Sequence, residues 1–393
     1  MKTVGTVVRG IRAPIFKAGD DVASIAVDTL MAAAQAEGFA FYDQDVVALT
    51  ESIVARTQGN YASLTQIAAD VRRKFPGGEA GIVLPILSRN RFSMLLRGIS
   101  MGLDKLYIQL AYPSDEVGNP LLSLDDLDEK GINPYSDVLT EPEFRRLFGA
   151  QVKHPFTGID YVSLYQSLAP NATIFLANDP RAMLQYTKHV LACDIHTRQR
   201  TCRLLREAHA LTAITLADLL NESVEGSGYN PLYGLLGSNL ATEDTVKLFP
   251  RDCEEVVSRM ATQLYARTGK QIEVMIYGDG AFRDPVGKIW ELADPVVSPA
   301  YTPGLVGTPN ELKLKYLADT QLSGYCPKDA AEAVRQAIRK KASGLQGQMA
   351  SQGTTPRRLT DLLGSLCDLT SGSGDKGTPI VLVQHYFDNY ADE

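Results

Sequence analysis

The segment QIEVMIYGDGAFRDP (residues 271–285) indicates the fold more clearly than any other stretch of the chain. Its first seven residues are mostly apolar or β-branched, which predicts a buried strand over 271–277. The apolar run stops at Gly278, and Asp279 then lies between two glycines. A helical pattern over 253–268 comes directly before this strand. A helix followed by a buried strand and a glycine-rich turn is typical of α/β proteins.

Similar alternation of strand and helix patterns marks both ends of the chain. A β-branched run over 3–9 precedes GDD at 19–21, where an aspartate is a natural N-cap for the helix that follows. A short buried strand is predicted at 45–49 and a second helix at 63–73. The chain closes with a glycine-rich loop and a strand in TSGSGDKGTPIVLV (370–383). These patterns predict a mixed α/β (α+β) fold.

Composition excludes several classes of protein. The chain has 393 residues, 45% of them hydrophobic, which is incompatible with a disordered segment and long enough for more than one domain. Its net charge of −7, without a basic tract, does not suggest a nucleic-acid partner. Five cysteines without a CxxC pair favour a reducing compartment. Without a long apolar run for a signal peptide or a membrane span, we expect a cytoplasmic protein.

The turn at Asp279 is the first candidate for chemistry. A carboxylate on a glycine-flanked turn, at the end of a buried strand, can approach a metal ion or a phosphate-bound cation closely. The alternative is a β-hairpin turn with solvated aspartates, because Asp-Gly is also the common hairpin signal.

A second candidate is the segment GSNLATED (237–244), which is rich in oxygen donors: Ser238, Asn239, Thr242, Glu243 and Asp244. Mg²⁺ and similar hard cations take oxygen ligands, so this loop could complete a metal site with Asp279. The alternative is a helix N-terminus capped by Asn239 or Thr242.

Other common site motifs are absent or lack the secondary-structure context that they require. Thr370–Val383 contains glycines and one lysine, but not in the GxxxxGK[ST] order of a Walker motif. No GxGxxG lies between a predicted strand and a predicted helix, because GSGDKG (372–377) is followed by a strand, so a Rossmann nucleotide site is not supported. The spacing GxSxG occurs once, in GISMG (98–102), but inside a helical pattern and not at the strand-to-helix turn of a hydrolase. The spacing of four possible zinc ligands fits no common zinc pattern; they are Cys193, His196, Cys202 and His209.

Five segments, taken in order, resemble the coenzyme F-420-0:L-glutamate ligases, a family of nucleotide-dependent γ-glutamyl ligases. They are VRGIRAPIFKAGDDVASI (8–25), DQDVVALTESIVARTQGN (43–60), GSNLATED (237–244), YGDGAF (277–282) and GSGDKGTPIVLV (372–383). Ser52 stands where lysine is usual, whereas Arg56 keeps a cation. Gly280 replaces the threonine that usually follows the metal-binding aspartate, which here is Asp279.

The resemblance implies a two-step reaction: phosphoryl transfer from GTP (or ATP) activates a carboxylate, and the amine of L-glutamate attacks the resulting acyl phosphate. Mg²⁺ or Mn²⁺ would neutralise the triphosphate. The implied acceptor is a coenzyme F-420 precursor, a folate or a related carboxylate. A homodimer is implied as well.

The resemblance also assigns roles to individual residues. The implied metal ligands are Asp279, Asp375 and either Glu243 or Asp244, between which the alignment leaves the choice open. Arg56 and Arg283 are the implied catalytic cations, and both could instead be ordinary surface cations. The implied nucleotide-binding residues are Gly59, Ser238, Asn239 and Lys376, the last of which could also be a surface cation.

The expected architecture is a γ-glutamyl ligase-like mixed-sheet core formed by residues 1–75 and 171–393, with residues 76–170 as an inserted subdomain. Two other functions stay open at this point. One is a non-ligase descendant that binds or hydrolyses nucleotide, which the substitutions at Ser52 and Gly280 keep possible. The other is a binding protein with a degenerate site.

Overall fold

The computed structural model describes most of the chain. The described residues are 3–87, 91–155, 157–195, 197–278, 282–283, 290–291, 295–320, 322, 324, 326–345, 347–351, 357–371 and 375–392, with 282–283 and 290–291 described by their backbone alone. No helix in these ranges is long and apolar enough to cross a membrane.

Strands and helices alternate along most of the described chain. The strands are β1 (Val7–Ile11), β2 (Val46–Thr50), β3 (Tyr61–Ser63), β4 (Glu79–Val83), β5 (Lys105–Leu110), β6 (Leu139–Thr140), β7 (Ala172–Leu176), β8 (His189–Ala192), β9 (Thr212–Thr215), β10 (Asn239–Leu240), β11 (Thr245–Lys247), β12 (Glu273–Tyr277), β13 (Phe282–Arg283), β14 (Trp290–Glu291), β15 (Ala300–Tyr301) and β16 (Ile380–Gln384). The helices are α1 (Val22–Glu37), α2 (Glu51–Thr57), α3 (Leu64–Lys74), α4 (Phe92–Met101), α5 (Leu124–Glu129), α6 (Glu141–Phe148), α7 (Tyr161–Leu168), α8 (Arg198–Glu207), α9 (Cys253–Thr268), α10 (Leu314–Thr320), α11 (Pro327–Arg339) and α12 (Leu359–Ser371). The predicted mixed α/β class is confirmed.

The central sheet has the strand order β1-β16-β2-β12-β15 and joins both ends of the chain. Strands β2 and β12 are parallel, and the remaining neighbours are antiparallel. Every residue of β12 and β16 is buried, because helices cover both faces of the sheet. Helices α1 and α9 pack on one face, and α12 packs on the other through Leu363 and Cys367.

A second sheet of six strands has the order β6-β7-β5-β4-β8-β9. Five of these strands are parallel, and β6 is an antiparallel edge. The sheet runs from Glu79 to Thr215 and so continues well past residue 170, where the sequence placed the end of the insertion. Parallel strands can pair only after a long crossover connection. The pairing of the four-residue strand β8 with β4 therefore cannot be predicted from the residues near either strand.

A small antiparallel sheet has the strand order β10-β11-β3. In the sequence, β3 lies between β2 and β4, and β10 and β11 lie between β9 and β12. The segment GSNLATED supplies β10 and the turn that leads to β11. It is therefore a β-hairpin and not the helix N-terminus that was its alternative reading. The pairing of β11 with β3 attaches this hairpin to the chain directly after α2.

Gly234 lies in the segment before this hairpin, where the chain packs closely against the backbone of an earlier segment. Its φ is +51°, and a Cβ there would lie 2.3 Å from the carbonyl oxygen of Leu219 and 2.6 Å from that of Ala217. Backbone carbonyls cannot move aside cheaply, so the site needs glycine for space as well as for its backbone angle.

We expect Gly234→Ala to lower the free energy of unfolding by about 1–3 kcal/mol more than Gly226→Ala does. Gly226 is a matched control, because its φ of +77° demands the same conformation while nothing lies within 4 Å of its Cβ position. Urea unfolding of the two variants measures the difference. Equal losses of stability would show that the carbonyls around Gly234 are not a steric restraint.

Candidate functional site

A cavity of about 520 Å³ opens where the parallel strands β2 and β12 end. Thr50 is the last residue of β2 and pairs with Tyr277, the last residue of β12. Because the two strands are parallel, the residues that follow them, Glu51 and Gly278, meet at the same edge of the sheet, and both line the cavity. Such a carboxyl edge is the usual place for ligands in α/β proteins.

Three cations line this cavity. Arg56, on α2, is exposed, and its Nε donates a hydrogen bond to the carbonyl oxygen of Phe16 at 2.6 Å. Lys247, at the end of β11, is half-buried, and its Nζ donates to the hydroxyl oxygen of Ser52. Arg91 lies in the segment between β4 and α4, so the six-stranded sheet also contributes to the cavity. Positive charge thus converges from three separate parts of the chain.

Two acidic residues face the same space. Glu51 begins α2 and is only 6% exposed, and the helix N-terminus favours its negative charge. Asp368 lies on α12, three residues before Ser371, so both face the same side of the helix and both line the cavity. The Tyr277 hydroxyl donates a hydrogen bond of 2.8 Å to the Ser371 hydroxyl, which ties α12 to the end of β12.

The donor set of the cavity suits a divalent cation bound to an anion. Carboxylate oxygens are the ligands that Mg²⁺ and Mn²⁺ prefer, and Glu51 and Asp368 provide them. Arg56 and Lys247 form no ion pair with a carboxylate in the described part of the chain, so their charge is available to an anion such as a phosphate group. Among the described residues, no group of three or more His, Cys, Asp or Glu side chains is arranged to hold a metal ion.

Only some of the residues predicted from the sequence line the cavity. Arg56 and Asn239 do so. Ser238 is buried beside Asn239, but its hydroxyl donates to the carbonyl oxygen of Leu235 at 2.8 Å. Gly59 has a φ of +60°, and its N–H donates to the Arg56 carbonyl oxygen where α2 ends. Its observed role is therefore to end that helix.

Glu243 and Asp244 lie at the turn of the β10–β11 hairpin and are not among the residues that line the cavity. The Asp244 carboxylate accepts hydrogen bonds from the hydroxyls of Thr242 at 2.9 Å and Thr245 at 3.2 Å. These hydrogen bonds, the one from Thr242 first, lower the pKa of Asp244 below its usual range. Both acidic residues thus lie in the hairpin turn, outside the lining of the cavity, and this position does not support the metal role predicted for them.

The backbone of the same turn has a clear structural role. The Glu243 carbonyl oxygen accepts a hydrogen bond from Arg97 of α4 at 3.1 Å. The Asp244 carbonyl oxygen accepts one from the N–H of Leu64, the first residue of α3, at 2.9 Å. The hairpin is thereby attached to two helices that flank it.

The remaining predicted residues lie at the rim or outside the described part of the chain. Asp375 and Lys376 are exposed, and the next residue, Gly377, lines the cavity. Asp279 and Gly280 fall outside the described residues. Gly278, which lines the cavity, directly precedes Asp279. Arg283 is described by its backbone alone, as part of β13.

Sequence reasoning missed four charged residues of the cavity: Glu51, Arg91, Lys247 and Asp368. Glu51 had a usable signal, since it is a carboxylate directly after a buried strand, as Asp279 is. Arg91 and Lys247 had none, because only the packing of distant segments brings them to β2. Asp368 is one of several polar residues in a helical pattern, and nothing in its local sequence sets it apart.

A larger cavity of about 750 Å³ lies elsewhere, between α9, β15 and the start of α12. Its charged lining residues are Glu254, Arg358 and Asp361. None of the residues predicted from the sequence lines it. We consider the smaller cavity the better candidate, because it combines the carboxyl edge of parallel strands with converging cations and carboxylates.

Comparison with known families gives a match over most of the chain. The sequence model described as F420-0:gamma-glutamyl ligase matches residues 10–385. This match spans the central sheet from β1 to β16 and includes the whole six-stranded sheet. A search of curated proteins found no significant match.

Proposed function

The chain belongs to the F420-0:gamma-glutamyl ligase family, which is a family of amide-bond-forming ligases, and from this premise we propose the reaction of its cavity. The protein adds L-glutamate through an amide bond to a carboxylate acceptor, either a coenzyme F-420 precursor or a related compound such as a folate. GTP or ATP drives the reaction, with Mg²⁺ or Mn²⁺ as the cofactor.

The chemistry needs two steps that share one site. The acceptor carboxylate attacks the terminal phosphorus of the nucleotide, the bond to the β-phosphate oxygen breaks, and an acyl phosphate and a nucleoside diphosphate form. The amine of glutamate then attacks the acyl carbon, loses a proton and displaces inorganic phosphate. Both steps need the anionic partners to be held together against their mutual repulsion.

The residues of the cavity fit these requirements. Arg56 presents a planar guanidinium suited to phosphate or carboxylate oxygens, and Arg91 adds a second one. Glu51 and Asp368 are the described carboxylates that would hold the divalent metal, together with Asp279. The metal would supply charge neutralisation of the triphosphate. What carries the proposal is the meeting of cations and carboxylates at the carboxyl edge of β2 and β12 in a chain of this family.

We expect nucleotide turnover to depend on both glutamate and a carboxylate acceptor. With coenzyme F-420-0 as the acceptor, omission of either compound should reduce phosphate release at least about tenfold. The assay measures inorganic phosphate together with the mass of the glutamylated product. Turnover that continues without glutamate and acceptor would instead identify a nucleotide hydrolase and refute the ligase proposal.

A further inference from the structure

The pairing of β11 with β10 and β3 places Lys247 beside the N-terminus of α2, where it contacts Ser52. Its partner across the β10–β11 hairpin is Asn239, and its partner on β3 is Tyr61. Residues directly opposite each other on neighbouring antiparallel strands project to the same face. Lys247 and Asn239 accordingly both line the cavity. The contacts of Arg97 and Leu64 with the hairpin turn hold this face in position.

The charge of Lys247 has no counterion among the described residues. Its Nζ donates to Ser52, whose hydroxyl is neutral, and no ion pair between Lys247 and a described carboxylate is observed. A half-buried ammonium group loses part of its hydration, and a neutral partner replaces only some of that stabilisation. An anion that enters the cavity would restore it.

The surroundings of Lys247 favour a phosphate group as that anion. Arg56 faces the same cavity, and its guanidinium donates to a backbone carbonyl, which is also neutral. Two cations with neutral partners, at the edge where β2 and β12 end, raise the local concentration of anions. Lysine binds phosphate as a compact point charge on a flexible stem, so it can move from Ser52 to a ligand oxygen by rotation of its side chain.

We infer that Lys247 is a phosphate-binding residue of this cavity, which donates from Nζ to a non-bridging oxygen of the polyphosphate chain of the nucleotide. The identity of the nucleotide rests on the proposed function, whereas the anion site does not. Ser52 holds the ammonium group in the free protein and releases it to the ligand. Since the two side chains are in hydrogen-bond contact, a lysine at position 52 would place an ammonium group in the same part of the cavity.

The test exchanges the two residues. Calorimetry compares the parent protein with Lys247→Ser, Lys247→Met and the double variant Lys247→Ser with Ser52→Lys, using Mg²⁺–GTP and inorganic tripolyphosphate as probes. Lys74→Ser is the matched control, because the Nζ of Lys74 also donates to a neutral side chain, Asn221, at 3.3 Å, outside the cavity. Thermal unfolding of each variant shows whether it is folded, and Lys247→Met keeps the aliphatic stem in case Lys247→Ser does not fold.

Both single substitutions of Lys247 should weaken binding of the two probes at least tenfold, the exchanged variant should recover most of that loss, and Lys74→Ser should bind like the parent. A folded Lys247 variant that binds both probes like the parent would overturn the inference, as would a parent protein that does not bind tripolyphosphate. Failure of the proposed function looks different. The parent would then bind tripolyphosphate through Lys247 but form no glutamylated product.

Discussion

Asp279→Asn is expected to weaken metal-dependent nucleotide binding by at least about tenfold, which corresponds to about 1.4 kcal/mol. In the sequence the residue directly follows Gly278, which lines the cavity together with the carboxylates of Glu51 and Asp368. Asparagine keeps the size of the side chain and one oxygen but removes the charge that offsets a divalent cation. The measurement is calorimetric titration of GTP in the presence and absence of Mn²⁺.

Asp244→Asn is the matched control for this prediction. Asp244 is also an acidic residue of the predicted metal set, but its carboxylate accepts hydrogen bonds within the hairpin turn and does not line the cavity. We expect it to bind nucleotide like the parent. If Asp279→Asn also binds metal and nucleotide like the parent, Asp279 is a turn residue without a metal role.

Asp115→Ala is expected to lower the free energy of unfolding by about 3–5 kcal/mol. Asp115 and His154 are both fully buried, and the Asp115 Oδ2 lies 2.9 Å from the His154 Nε2. The same carboxylate accepts hydrogen bonds from the N–H groups of Val117 and Asn119. Removal of the carboxylate leaves the buried N–H of Asn119 and the partly buried N–H of Val117 without an acceptor, and loss of the acceptor of a buried donor costs about 1–3 kcal/mol. Urea unfolding measures the effect.

The effect of Asp115→Ala should depend on pH in a defined direction. Burial raises the pKa of Asp115, but hydrogen bonds from His154 and Asn119 outweigh it, so the pKa lies below its ordinary value of 3.8. The stabilisation that the ionised Asp115 gives the folded protein is therefore complete above the pKa that Asp115 has in the unfolded chain. It is lost as the pH falls through the lower pKa that Asp115 has in the folded protein. Asp128→Ala, at an exposed carboxylate of α5, should change stability by less than about 0.5 kcal/mol. Equal effects of the two substitutions would contradict this account of the buried pair.

Local patterns in the sequence were sufficient for several elements of the core. The helix predicted over 253–268 is observed as α9 with those bounds, and the strand predicted over 271–277 is observed as β12. Both have an apolar pattern of the right period and are ended by glycine or polar residues. By contrast, β8 pairs with β4, more than 100 residues earlier in the chain, and no local pattern specifies such a partner.

In the candidate site, too, some residues can be predicted from their own segment, whereas others are brought in from distant parts of the chain. Arg56 was predicted because it lies in a segment that resembles the family, and it does line the cavity. At position 52 the sequence has a serine where lysine is usual in the family, so the sequence alone predicts one positive charge fewer at the site. The structure places Lys247 in contact with Ser52, 195 residues apart in the chain. An ammonium group is thus present beside position 52, supplied by a different strand.

Hydrogen–deuterium exchange in the presence of Mn²⁺ and GTP tests the central claim most directly, because a ligand slows exchange in the segments that it stabilises. If the cavity at the ends of β2 and β12 binds the nucleotide, protection should appear in residues 50–56, 239–247 and 368–379. Protection confined to residues 254–262 and 296–303, which line the larger cavity, would contradict the account.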